Sequence, residues 1–387
     1  MSESGLYHVL EYSSPITLYT NTYSWNNITN NLFMESPAGV GFSYCDTPAG
    51  CSHTDTSTAN DNLQAILSFF TNYPELKGND FWISGESYAG IYIPSLAYAI
   101  YNYNVKNPST AINLKGILVG NGCIGNAAGH CGNDPTGLND YHDIMEWRGH
   151  GLISETTYDL IMKVCDWPNE SQQCQNALNN AANEVGNLDV YYLYNTCPNP
   201  AGQLRQPRAP FGSKGMLARV QKIQEEKNKH SLALDPNCFG TGPTLESWFN
   251  QADVKAAFHV AADIDWSLCS NNGTFNYNSD IADERTTIYP TLTQKAGYKV
   301  LVYNGEADLC VPYTDNEWWT RTMNYSVIKP WAAWMVQGDE GPYVGGYKIQ
   351  YAHNFTFATV RGAGHMVPET RPQSSLIMMK SHTFGGW

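Results

Sequence analysis

The 387-residue chain is poor in charge, and poorer still in positive charge. Asp, Glu, Lys and Arg make up 15% of it, and 22 Lys and Arg face 36 Asp and Glu, a formal net charge of −14. With no Lys/Arg run and no basic patch, nothing would attract a phosphate backbone, and nucleic acid is excluded as a partner. No run of 18 apolar residues occurs, so no membrane-spanning helix is expected. No two of the ten cysteines form C-x-x-C, which removes a common zinc spacing; no metal and no cofactor are expected. The opening MSESGLYHVL lacks the basic and apolar regions of a secretory signal.

What is present is apolar and aromatic. Hydrophobic residues reach 42% and aromatics 13%, enough for a large core. Cys45 and Cys51, Cys123 and Cys131, and Cys165 and Cys174 are near neighbours in sequence and candidates for disulfides. Cys197 and Cys238 are candidates for a fourth bridge. Sequons at Asn27, Asn169, Asn272, Asn324 and Asn354 join the cysteines in favouring a secretory route.

Along the chain, short continuous apolar runs alternate with helical periodicity. NNLFME (30–35), FWIS (81–84), LKGILVGNG (114–122), YKVLVYNGEAD (298–308) and FTFATVRGAGH (355–365) read as buried strands ending in turn residues. TANDNLQAILSFFTNY (58–73) sets Leu63, Ile66, Leu67 and Phe70 on one helical face. This predicts an α/β fold with a mostly parallel central sheet. Residues 125–245 carry few strand signals and read as an inserted, partly helical cap between a first core half, 1–124, and a second, 246–387.

The stretch FWISGESYAG sets a serine between small residues at a strand-to-helix turn, the arrangement that presents a nucleophilic hydroxyl. A serine needs a base, and the base an orienting acid. Asp308 and His365 each follow a strong strand, and the order Ser87, Asp308, His365 is that of an α/β-hydrolase fold. Glu306 is the rival acid.

Five ordered stretches, WISGESYAGIYIP, NTYSWNNITNNLFMESPAGVGFSY, GILVGNG, YNGEADLCVP and VRGAGHMVPETRP, resemble the serine carboxypeptidase family, nearest its lysosomal cathepsin A and vacuolar carboxypeptidase type. The resemblance implies release of C-terminal residues from peptides in mild acid, in a lysosome or vacuole or outside the cell. It implies Ser87 as nucleophile, His365 as general base, Asp308 as its orienter and the Tyr88 N–H as oxyanion donor. Glu86, with Glu3 in SESGLYHV, would bind the substrate's terminal carboxylate. Close carboxyls raise one another's pKa, and a protonated carboxyl can donate to a carboxylate. Met366, beside the base, is either a wall of the pocket for the departing residue or ordinary packing. Peptides are the expected partners, and a homodimer stays open.

The resemblance also implies a W-L-N-G-G-P-G-C-S-S segment just ahead of this sequence's first residue, supplying a second oxyanion N–H and a cysteine partner for Cys269. The expectation is of a truncated carboxypeptidase, with Gly39 or Gly41 as the alternative source of that N–H. Cys310 would be a free thiol beside the site or a core residue. Two rival functions stand beside the peptidase: an acyltransferase with the same triad, and a partner-stabilising protein. Related acyltransferases tend to carry Asp and Ser where this chain has Glu86 and Ala89.

Overall fold

The structure is a computed structural model describing residues 3–10, 13–133, 136–167, 169–186, 188–194, 216, 219, 243–268, 275–338 and 340–387. Most of the stretch 195–242 therefore lies outside the described residues, as do Cys197, Cys238, Cys269 and Asn272.

The chain begins with a hairpin, β1 (Tyr7–Leu10) and β2 (Thr17–Thr20). The short β3 (Ser52–Thr54) leads into α1 (Asp55–Asn72). Thr54 and Ser57 cap that helix reciprocally, each side chain accepting from the other's backbone N–H. Leu63, Ile66 and Phe70 are buried on one face of α1, and Pro74 follows its end. Then come β4 (Phe81–Glu86), α2 (Ala89–Lys106) and β5 (Leu114–Gly120). Helices α3 (Leu138–Gly149), α4 (Glu155–Val164) and α5 (Gln172–Val185) stand between β5 and the rest of the sheet. They bury their own core around Ile144, Trp147, Ile161 and Leu178. The chain returns through β6 (Asn276–Asn278), paired with β3, to β7 (Lys299–Gly305) and α6 (Tyr313–Thr322). It ends with β8 (Val327–Gly338), β9 (Gly341–Tyr351), β10 (Phe355–Val360) and α7 (Pro372–Phe384).

The central sheet runs β4-β5-β7-β10-β9-β8. Its first four strands pair in parallel, and β9 joins β10 and β8 through antiparallel pairings. Every residue of β10, and all but the first of β7, is buried, the mark of strands covered on both faces. Parallel strands place all their C-terminal ends on one rim, where α/β proteins bind ligands.

One expectation about strands fails, and one ribbon was not foreseen. Among the described residues the segment 30–35 pairs with no strand and β4 is the sheet edge; Leu32, Phe33 and Met34 are 44%, 45% and 39% exposed. An apolar run becomes a strand only where a partner meets its backbone donors. The antiparallel ribbon β8–β9 went unread because Pro330 and the pair Gly345-Gly346 interrupt its pattern. A side chain at Gly346 would meet the Thr359 carbonyl oxygen at 1.9 Å, so glycine is what lets the ribbon close on β10.

Candidate active site

Ser87, Asp308 and His365 follow β4, β7 and β10 on that common rim. Ser87 occupies the elbow between β4 and α2 with φ +62°, a left-handed conformation rare for a residue with a side chain. Its backbone is tied to the neighbouring strand end. The Ser87 N–H donates to Gly120 O at 3.0 Å, and Cys123 N–H donates to Ser87 O at 3.0 Å. A side chain on Gly90 would meet the Cys123 carbonyl oxygen at 2.3 Å, so the elbow can lie this close to β5 only with glycine there.

Asp308 and His365 are buried, and Asp308 Oδ2 meets His365 Nδ1 at 2.6 Å. Three further donors hold the carboxylate: Cys310 N–H at 2.8 Å, Val311 N–H at 3.2 Å and Asn121 Nδ2 at 2.8 Å. Glu306 turns away and accepts from Gly362 N–H, so Asp308 is the acid on His365. The backbone of the cap's tail completes the support: His365 N–H donates to Tyr191 O at 2.7 Å, Leu193 N–H to Ala307 O and Leu309 N–H to Val190 O. Ser87 and His365 share no hydrogen bond among the described residues; such contacts often close only around substrate.

Beside the elbow, the carboxyl groups of Glu3 and Glu86 face each other. Burial raises the pKa of each, and the charge of Glu3 pushes Glu86 well above the usual carboxylate range, with Asp308 adding to it. Among the described residues, no hydrogen-bond donor reaches the buried Glu86 Oε2. Glu3 is held by the NTYSW stretch. Asn21 Nδ2 reaches the carbonyls of Glu3 and Gly5, while Ser24 Oγ and Trp25 N–H reach that of Ser4.

Cys310 is a free, buried thiol. Its sulfur, an Asp308 oxygen and a His365 ring nitrogen lie within 4.8 Å of one another. Burial, then the charge of Asp308, keep the thiol protonated. Met366 is half-buried and caps the short helical turn after His365. Gly41 has φ +57°, and a side chain there would strike the Glu35 carboxylate at 2.3 Å; Gly39 has φ +95°. Disulfides join Cys45–Cys51, Cys123–Cys131 and Cys165–Cys174. Asn27, Asn169, Asn324 and Asn354 are exposed. Two residues that sequence reasoning missed are Asn121, on Asp308, and Asp55, under Tyr88. GILVGNG and the start of α1 carried them, but neither looks like a site residue outside its contacts.

A strand-end serine elbow with a hydrogen-bonded Asp–His pair on later strand ends of the same sheet, beside a helical cap, is an α/β-hydrolase fold. Residues 1–385 match the family model described as serine carboxypeptidase, and the chain belongs to that family of hydrolases. It is 35% identical over 376 residues to serine carboxypeptidase-like 22 of Arabidopsis thaliana, covering 95% of this chain and 75% of that protein. It is 33% identical over 402 residues to serine carboxypeptidase ctsa-4.1 of Caenorhabditis elegans, covering 98% and 79%. The solved structure of Kex1(delta)p, a prohormone-processing carboxypeptidase from Saccharomyces cerevisiae, superposes with TM-score 0.68 at 20% identity. That superposition covers 99% of this chain and 79% of the other. Among the described residues no helix is long and apolar enough to cross a membrane.

Proposed function

We propose that this chain removes single residues from the C-termini of peptides through an acyl-enzyme on Ser87. The observation that carries the reading is the Glu3–Glu86 carboxyl pair beside the serine elbow. An endopeptidase has no use for proton-bearing carboxyls next to its nucleophile, whereas an exopeptidase must recognise one terminal carboxylate. Protonated Glu86 donates a hydrogen bond to that carboxylate, which favours mild acid.

The rest follows from the rim. Asp308 holds the proton on His365 Nδ1, leaving Nε2 to take the Ser87 proton as Oγ attacks the scissile carbonyl. The Tyr88 N–H faces the oxyanion. His365 returns the proton to the departing amine, and water then cleaves the ester by the same route. Met366 lines the pocket of the departing residue. Residues 125–245 serve as a cap inserted between core halves 1–124 and 246–387, and the exposed sequons suit a lysosomal, vacuolar or secreted glycoprotein.

The test is hydrolysis of an N-blocked dipeptide and of its C-terminal amide, with fluorophosphonate labelling, for the parent and Ser87→Ala. Turnover of the free acid in preference to the amide is expected, with both turnover and labelling lost in the variant. Labelling at another serine, or acyl transfer from a glucose ester outpacing dipeptide hydrolysis, would overturn the reading.

A further inference from the structure

Asp55, the first residue of α1, is fully buried and carries five hydrogen bonds. Its Oδ1 accepts from Tyr88 OH at 2.9 Å and Tyr277 OH at 2.7 Å. Its Oδ2 accepts from Ser279 Oγ at 2.9 Å, Asp280 N–H at 2.8 Å and Ile281 N–H at 2.9 Å. The Tyr88 hydroxyl also meets Ser279 Oγ at 2.9 Å. The rings of Tyr88, Tyr92 and Tyr277 pack edge to face around the carboxylate, with centroids 5.0–5.9 Å apart. A buried carboxylate is costly unless its oxygens are satisfied, and here both are, by donors from two separate parts of the chain, Tyr88 and residues 277–281.

One of those donors belongs to the elbow itself. Ser87, at φ +62°, holds a conformation that persists only where its surroundings over-determine it. On the strand side, Gly120 O and Cys123 N–H fix it. The way to relax is to turn the peptide between Ser87 and Tyr88, and that peptide carries the Tyr88 N–H. A tyrosine gripped at its hydroxyl end resists such a turn, because its side chain is then anchored at both ends. Burial keeps the Tyr88 phenol protonated and so keeps it a donor to Asp55.

We propose that Asp55 is a positioning residue for the hydrolysis: by holding the Tyr88 hydroxyl, it fixes the Ser87–Tyr88 peptide with its N–H aimed at the oxyanion. The proposal rests on the reading of Ser87 as nucleophile and of the Tyr88 N–H as oxyanion donor. Three variants separate its parts. Asp55→Asn keeps the shape but leaves one acceptor oxygen for the backbone N–H groups and an NH2 facing the phenols, so the Tyr88 hydroxyl loses its charged acceptor. Tyr88→Phe deletes only the gripped hydroxyl and leaves the backbone N–H in place. Tyr277→Phe deletes the other phenol from the same oxygen without touching the elbow.

Each variant and the parent are assayed on a blocked dipeptide for kcat and KM, for inhibition by the matching peptide aldehyde, for thermal midpoint and for fluorophosphonate labelling. In Asp55→Asn and Tyr88→Phe, kcat should fall between about tenfold and a hundredfold, less than the loss of a whole oxyanion donor. KM should hold within about twofold, and aldehyde affinity should weaken in step with kcat/KM, because the tetrahedral adduct uses the same N–H. Tyr277→Phe should keep the parent kcat and aldehyde affinity. Equal kcat in Tyr88→Phe and the parent would overturn the proposal, as would equal kcat losses in the two phenylalanine variants. If Asp55→Asn fails to fold, the two phenylalanine variants decide alone. Failure of the parent to label at Ser87 would instead overturn the reading of the nucleophile.

Discussion

The sheet rim and the cap helix that faces it treat their buried carboxyl groups in opposite ways. On the rim, Asp308 accepts four hydrogen bonds and Asp55 five. In the cap, Asp143 of α3 is as deeply buried, yet among the described residues neither oxygen accepts a hydrogen bond. His130 Nε2 lies 3.5 Å from it, close enough for attraction but poorly placed to donate. Asp315 of α6 sits in the same cluster on the core side. Burial works against its charge, but the hydrogen bond and charge of His142 outweigh that and hold it below the usual range. Burial drives Asp143 well above that range, helped by the charges of Asp140, Glu146 and Asp315. Satisfied carboxylates can stay charged in an interior; unsatisfied ones keep their protons. Asp308 and Asp55 are thus surrounded by donors, whereas Asp143 in the cap has none among the described residues.

The largest effect that would break this comparison is on the rim. Asp308→Asn should cut kcat by roughly ten-thousand-fold while the fold survives, because the amide favours the wrong imidazole tautomer. Circular dichroism beside steady-state kinetics checks it, and a loss under tenfold would remove Asp308 from the triad. Next comes Asn121→Ala. It withdraws one donor from Asp308 and the acceptor of Gly305 N–H, and kcat/KM should fall about tenfold to a hundredfold.

Glu86→Gln sharpens the comparison at a rim carboxyl whose pKa is raised well above the usual range. Its folded pKa is raised, so the donating form is present in acid and is lost as pH climbs through that raised value. In the parent, KM for the free-acid peptide should rise over that window by roughly tenfold or more, while KM for the amide stays flatter. In Glu86→Gln the two profiles should run parallel; a free-acid profile unchanged from the parent's would remove Glu86 from carboxylate recognition.

The smallest expected effect lies in the cap. Asp143 takes up a proton on folding, so its contribution to stability is present below the ordinary carboxylate range and declines as pH rises towards its raised folded value. Asp143→Asn should therefore raise the thermal midpoint at pH 7 by roughly 2–4 °C and leave it unchanged at pH 4. Equal shifts at both pH values would mean the gain comes from packing and not from the proton.

Much of this was legible in the sequence because the rim is written locally. Ser87, Asp308 and His365 each follow a run of residues whose pattern marks a buried parallel strand, and the turn after such a strand is where the side chain must emerge. Glu3 was placed by resemblance alone; what holds it, Asn21 and Ser24 reaching back across some twenty residues to its own and its neighbours' carbonyls, has no local pattern. Asn121 and Asp55 stayed invisible for the same reason, since an Asn after a strand and an Asp opening a helix usually serve the turn and the helix cap. The apolar run 30–35 misled because apolar character reports a capacity to pair, and pairing is a property of the neighbours.

Ser87 and the Asp308–His365 pair belong to different halves of the chain. Ser87 precedes the stretch 195–242, and Asp308 and His365 follow it. The halves meet along the parallel pairing of β5 with β7, and His365 N–H is gripped by Tyr191 from the earlier half. All three disulfides formed among the described residues close within that earlier half. The enzyme is thus laid out as a split reporter: two fragments divided in that stretch would each be inert, and turnover would read out their reassembly.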